Sequence, residues 1–217
     1  MSSGTSRRLT AMEQLRAEKK AWRLPQLVVG LLGYGASLPF LVQSTLGASS
    51  WSVLSQGVTL HTPLTFGWAT NLISVLVLLF WIPLRELPGL GTALNVLLIG
   101  LSADAMALVL PDPADFPQQL VYFCIGLLLL TFSDALYLGA RFGSGPRDGL
   151  MTGAVRATGR PIWVVRTSIE LVVLAAGWAL GGIVGLGTLA VALLMGPLAQ
   201  VFLRFTTVRL RLDDDTA

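Results

Sequence analysis

Charge is scarce in this chain of 217 residues: 12% of them are charged, 53% are hydrophobic, and the mean hydropathy is +0.71. Soluble domains carry roughly 25% charged residues, so this supply is too small to cover a water-facing surface. The few charges are also unevenly spread. None lies between Arg23 and Arg85, and none between Glu170 and Arg204. A bilayer core needs about 20 apolar residues per spanning helix, and the first gap is long enough for two. Metal-ligating and nucleophilic residues are scarcer still. Cys124 is the single cysteine and His61 the single histidine. An intramolecular disulfide is therefore excluded, and a structural zinc site, which needs several Cys or His ligands, is not expected. Cys124 lies in an apolar run and reads as a small hydrophobe.

What is present divides into six apolar spans, at about 24–46, 65–84, 90–110, 117–140, 162–183 and 187–206. The fold class expected is an all-α membrane protein of about six transmembrane helices. A basic segment, 1–23, precedes the spans, and a charged tail, 207–217, follows them. The basic stretch from Arg7 to Arg23 leads into a long span without a small-residue cleavage site after a short apolar core, so the first helix is expected to stay rather than leave as a signal peptide. The net charge is +3 and the pI about 9.5. Topology explains the basic residues better than nucleic acid does. With the N-terminus inside, Lys and Arg fall on the N-terminal segment, on Arg85, on Arg141 to Arg166, and on Arg204, Arg209 and Arg211. The alternate connections, near 47–64, 111–116 and 184–186, hold none. This is the positive-inside distribution, and it puts both termini in the cytoplasm of a bacterial plasma-membrane protein.

Shifted by 96 residues, the chain aligns with itself without a gap. Gly30-Leu31-Leu32 falls on Gly126-Leu127-Leu128, Gly47 on Gly143, and Gly89-Leu90-Gly91-Thr92 on Gly185-Leu186-Gly187-Thr188. Apolar matches alone would carry little, since any two spans share leucines. The glycine spacing and the GLGT match carry the weight. Two three-helix repeats result, 24–110 and 117–206. An odd number of spans per repeat inverts the second half, as in inverted-repeat transporters. The polar stretches after spans one and four, 47–63 and 143–158, are expected to form short helices, re-entrant or lying on the surface.

Several residues carry a distinctive pattern. They are Gly139 to Met151, ending Gly145-Pro146-Arg147-Asp148-Gly149-Leu150-Met151; Arg166 with Glu170; the run from Gly177 to Thr188; and Gly196-Pro197. On these the chain resembles the YczE/YyaS/YitT-type bacterial membrane proteins, in particular the YczE-like branch of actinobacteria, over about 24–206. The resemblance implies a plasma-membrane location and little mechanism. In the first half Ser50-Trp51-Ser52 stands where the family often has proline, tryptophan and aspartate, so a role for an acid there does not carry over.

Ionisable side chains within a span cost about 2.5–3.5 kcal/mol each on insertion scales. Glu170 lies well inside span five, with Arg166 one turn earlier on the same face. One reading is a self-neutralising pair that lets the helix insert; the other is a polar site between the repeats, for a proton or an anionic group. The repeat puts Thr70 and Ser74 at the matching positions. Asp134 in span four needs a partner, with Arg166 and Arg147 as candidates, or serves a proton relay. Pro146 suits the first turn of a helix, whose N-terminus beside Arg147 would favour an anion; alternatively Arg147 and Asp148 pair. Asp104 reads as a solvated helix end. Gly177, Gly181 and Gly185 form a small-residue stripe for close packing, within the bundle or, less favoured, at a homodimer face. Trp22, Trp51, Trp81 and Trp163 fall where aromatic belts are expected. No H-E-x-x-H, G-x-S-x-G or metal cluster is present, so neither enzyme activity nor a cofactor is expected. Two functional readings stand: a transporter or exporter of a small anionic or polar solute, or a membrane anchor for a biosynthetic or regulatory partner.

Overall fold

The computed structural model describes residues 20–208. The expectations for the N-terminal segment before Lys20 and for the end of the tail lie outside the described residues. The chain runs α1 (Lys20–Gln43), α2 (Ser50–His61), α3 (Phe66–Leu79), a single turn α4 (Trp81–Leu84), α5 (Leu90–Val109), α6 (Phe116–Gly139), α7 (Pro146–Thr158), α8 (Ile162–Ala179) and α9 (Leu186–Thr206). Six helical stretches are long and apolar enough to cross a membrane, with α3 and α4 counted as one. Among the described residues there is no strand. In lipid every backbone N–H and C=O must be satisfied within the chain, which helices do without partners.

Starts and stops follow local chemistry. Ser49 caps α2 by accepting from the Ser52 N–H, Thr65 caps α3, and Asp115 caps α6. Such caps satisfy donors that the helix itself leaves open. The GLGT pair has a double cause. At the start of α5, Thr92 Oγ1 accepts from the Gly89 N–H at 3.1 Å; at the start of α9, Thr188 Oγ1 accepts from the Gly185 N–H at 3.4 Å. The second glycine of each motif then meets another backbone: the Gly91 N–H donates to Phe142 O at 2.9 Å, and the Gly187 N–H to Leu46 O at 2.7 Å. A Cβ on Gly91 or Gly187 would stand 2.9 or 2.8 Å from those same carbonyls.

The centre of the fold is the crossing of α1 and α6. Leu27, Leu31, Leu38 and Leu41 of α1 are buried against Phe123, Leu127 and Leu130 of α6. The crossing depends on two glycines. A Cβ on Gly30 would lie 2.7 Å from the Tyr137 backbone N, and one on Gly126 would lie 3.0 Å from the Leu41 backbone N. Apolar area gives no drive between helices already in lipid, so close backbone packing takes that role. α5 packs on α1, and α9 on α6. α2 and α7 fold back toward the middle, helped by left-handed residues at matched places: Thr45 and Arg141 (φ 56° and 57°), then Gly47 and Gly143 (φ 119° and 110°).

Several expectations need correction. Arg23 lies within α1 rather than ahead of it, and it is fully buried. Its Nε donates to Ala140 O and its Nη2 to Arg141 O, both at 2.9 Å, and its guanidinium lies 4.2 Å from the Phe142 ring centroid. The last carbonyls of α6 carry partial negative charge, which is why a cation is accepted there. The glycine stripe is not a helix face. α8 stops at Ala179, Gly181 is left-handed (φ 89°), and Gly185 caps α9; only Gly177 lies on α8, against Val53 and Leu54 of α2. Trp22 and Trp163 are exposed, but Trp51 and Trp81 are buried, because each indole N–H has a partner inside the protein. Asp104 is not a free helix end. It accepts from the Thr65 hydroxyl and from the Gly67 N–H at 2.7 Å, fastening α3 to α5.

Gly30→Val is expected to abolish a stable detergent-solubilised fold, whereas Leu32→Val, on the outward surface, leaves the melting temperature unchanged. Arg23→Ala should lower stability by about 1–3 kcal/mol by stranding a buried and a half-buried carbonyl, with Arg23→Lys intermediate. Thermal melts read by size-exclusion fluorescence measure both.

Candidate functional site

α2 and α7 start 96 residues apart in sequence, and residues of their first turns meet. Trp51 is the second residue of α2 and Arg147 the second residue of α7. The Arg147 guanidinium lies 4.9 Å from the Trp51 ring centroid, so residues at equivalent positions touch. The start of α7 is held from behind: Trp81 Nε1 donates to Pro146 O at 3.0 Å, and the Thr92 hydroxyl to Ser144 O at 2.7 Å. The room there suits only small residues. A Cβ on Gly149 would strike the Trp81 ring, and one on Gly145 would lie 3.1 Å from both Asn95 Nδ2 and the Tyr137 hydroxyl.

A polar cluster surrounds this meeting point. Arg147 Nη1 donates to the Tyr34 hydroxyl at 3.1 Å, and the Tyr137 hydroxyl donates to Asp148 Oδ2 at 2.7 Å. The two tyrosines sit edge to face with centroids 6.2 Å apart. Trp51 Nε1 donates to Glu170 Oε1 at 3.2 Å. Asp134, one turn before Tyr137 on α6, has Asp148, Arg147 and Arg166 as its electrostatic neighbours. Among the described residues it makes no hydrogen bond or ion pair. The side chains come from α1, α2, α6, α7 and α8, thus from both halves.

The electrostatics explain how these groups coexist in an apolar bundle. Asp148 is in the first turn of α7, and Glu170 is bonded to the first turn of α2. The positive ends of the two helix dipoles favour a carboxylate at each place. Arg147 adds a full positive charge between them. Asp134, Asp148, Glu170 and Arg147 all act electrostatically on Tyr34, and Arg166 acts on Asp134 from the exposed side of α8, so carboxyl groups outnumber guanidinium groups in the cluster. A network of this kind can relay protons and can hold a polar solute by charge-assisted hydrogen bonds.

Of the residues expected from sequence, Arg147, Asp148, Asp134 and Glu170 are brought together. Arg166 and Glu170 form no ion pair with each other; Glu170 turns to Trp51, and Arg166 stays exposed. Arg147 and Asp148 are not paired either, since each takes a tyrosine. Thr70 and Ser74 stand apart: the Thr70 hydroxyl donates to Ser55 Oγ at 3.0 Å, and the Ser74 hydroxyl to Thr70 O at 2.9 Å. Sequence reasoning missed Tyr34, Tyr137 and the inward role of Trp51. The available signal was a tyrosine hydroxyl in mid-span, which needs a partner when buried.

The model of a family of unknown function (DUF6198) matches residues 21–204, and the chain belongs to that family. It is 41% identical to an uncharacterized protein of Haemophilus influenzae, over 86% of this chain and 85% of the relative. It is 33% identical to the uncharacterized membrane protein YczE of Bacillus subtilis, over 81% of this chain and 80% of that one. The protein YyaS of the same organism is 30% identical, over 81% of this chain and 89% of its own. No solved structure matches. The YczE-like resemblance read from the motifs is therefore correct, and the chain is a membrane protein with several apolar helices.

A double-mutant cycle of Trp51→Leu and Arg147→Gln should give a coupling of about 0.5–2 kcal/mol in thermal or denaturant stability, as expected for a desolvated cation–π contact. Additive effects would mean that the two residues do not sense each other.

Proposed function

We propose that this protein carries a small polar solute across the bacterial plasma membrane, with the solute bound between two halves that are inverted repeats. The observation that carries the reading is the meeting of Trp51 and Arg147, matched residues of two short helices that reach the centre from different halves. Other correspondences support the repeat. Helices begin at Ser50 and Pro146, Phe66 and Ile162, and Leu90 and Leu186, each pair 96 residues apart. The Gly91–Phe142 and Gly187–Leu46 hydrogen bonds are equivalent under the same shift, as are the approaches of Gly30 to Tyr137 and of Gly126 to Leu41.

Three spans per half turn the second half over. α2 then enters from the outer face and α7 from the cytoplasmic face, both as re-entrant helices. Non-helical backbone at that depth is tolerated where it lines a polar cavity or is buried in protein. The distribution of basic residues sets both termini in the cytoplasm. Asp134, Asp148 and Glu170 with Arg147, Tyr34, Tyr137 and Trp51 form the binding surface. Their three carboxyl groups against one guanidinium favour a solute bearing donors or a positive group, or a proton, over the anion that Arg147 alone would suggest. Asp134 is the best proton carrier, because no donor is committed to it.

Solid-supported-membrane currents from proteoliposomes, recorded over a panel of amino acids, organic acids and amines, test this reading. Glu170→Gln and Asp134→Asn should each lower the solute-dependent current roughly tenfold or more, with insertion and thermal stability retained. Full currents in both variants would put the site elsewhere, and no current for any solute in the unaltered protein would remove the transport reading.

A further inference from the structure

The two halves match in sequence register but not in packing. In the first half α3 lies tightly on α5. Gly67 and Gly100 face each other so closely that a Cβ on either would strike the other's carbonyl. Asn71 Oδ1 accepts from the Gly100 N–H at 3.1 Å, and Asp104 accepts from Thr65 and Gly67. Gly67, Asn71 and Gly100 are all buried. The matching helices of the second half, α8 and α9, make no comparable contact. Gly196, the counterpart of Gly100, has nothing within 4 Å of the position a Cβ would take. Thr167 and Gln200, the counterparts of Asn71 and Asp104, are exposed, and Trp163, the counterpart of Gly67, is 70% exposed.

The tilt of the neighbours agrees. α8 leans on α2, with Gly177 against the Leu54 backbone and Gly57 against Leu180. α3 touches its own partner across the halves, α7, less extensively, and α4 adds contact there. One seam is shut and its counterpart is open.

We propose that these are the two gates of one exchange: α8 swings onto α9 to shut the second seam while α3 parts from α5 to open the first. This rests on the transport reading above. By the distribution of basic residues, the α3–α5 seam faces outward and the α8–α9 seam faces the cytoplasm, so the conformer described is open inward. Arg166, exposed on α8 and an electrostatic neighbour of Asp134, stands beside the path from the inner seam to the central cluster. The parts suit the movement. Pro197 sits inside α9, where Leu101 stands in α5. It removes one helix hydrogen bond and lets the helix bend. The bulk of Trp163 forbids the glycine-on-glycine contact of the first seam. The inner gate therefore closes with the indole laid over the open face of Gly196, and Gln200 reaches the start of α8 as Asp104 reaches the start of α3. When the outer seam opens, Asp104 exchanges its two donors for water, which suits a carboxylate near the surface.

The test is thiol bridging in the full chain with Cys124→Ser. Thr65→Cys with Asp104→Cys reports the first seam, and Pro161→Cys with Gln200→Cys the second, using a short bifunctional maleimide in membranes. Both pairs are expected to bridge within one chain, the first faster. Adding Gly196→Leu should leave the melting temperature unchanged, because there is room, yet slow bridging of the second pair roughly tenfold or more, about 1.4 kcal/mol against closure. Failure of the second pair to bridge within a chain would overturn the proposal, as would bridging only between two chains, which would make this face a contact between copies. Equal bridging with and without Gly196→Leu would also overturn it. Bridging does not depend on solute. A protein that bridges as expected but passes no solute therefore retains the gates and loses the transport reading, whereas flux without second-seam bridging does the reverse.

Discussion

The contact on which the rest depends is the crossing of α1 and α6 at Gly30 and Gly126. Each glycine admits the backbone of the other helix to within the reach of a missing Cβ. Everything else hangs from this pair. α5 and α9 pack on its two sides, and the turns after Gln43 and Gly139 send α2 and α7 back toward it. Tyr34 and Tyr137 also descend from these helices into the polar centre. Wider residues at the crossing would move both tyrosines away from Arg147 and Asp148. The scaffold and the site are thus fixed by the same small residues, consistent with helix association in lipid being driven by packing rather than by water exclusion.

The polar centre is tolerable because its charges are met by more than one another. Asp148 lies in the first turn of α7 and accepts from the Tyr137 hydroxyl, Glu170 accepts from the Trp51 indole, and Arg147 takes the Trp51 face and the Tyr34 hydroxyl. A buried ion pair alone often fails to repay its desolvation. A network that includes helix ends and tyrosines spreads that burden and stays adjustable. The single direct ion pair among the described residues, Arg156 with Glu86 at 3.2 Å, lies away from the centre, between the end of α7 and the loop after α4. The centre is therefore a network of hydrogen bonds rather than a locked salt bridge.

Much of the fold was legible in the sequence. Apolar lengths gave six spans, and the observed helices start within a few residues of the expected positions. The GLGT motifs were legible as a repeat, although only the structure explains them as a cap joined to a close backbone approach. Arg147, Asp148, Asp134 and Glu170 could be chosen because ionisable groups in apolar runs need a reason. Their partners could not, since a tyrosine or tryptophan in a span looks the same whether it faces lipid or a carboxylate. The role of Arg23 is hidden for a related reason. This residue closes a run of basic residues whose pattern is explained by topology, and nothing in that pattern marks one of them as bound to the carbonyls of a helix nearly 120 residues away. The glycine stripe is not a face because its four-residue spacing runs past the helix end at Ala179, where Gly181 turns left-handed. The difference in packing between the two halves was not legible at all, since matched sequences do not state which of two arrangements each half takes.

In the transport reading α2 and α7 point at each other from opposite faces of the bilayer. Single cysteines at His61 and Thr158, the last residues of those helices, measure it in a Cys124→Ser background with a membrane-impermeant maleimide on intact bacteria. The account predicts that the cysteine at position 61 labels in intact cells and the one at 158 only after permeabilisation. Labelling of both from the same side would contradict it.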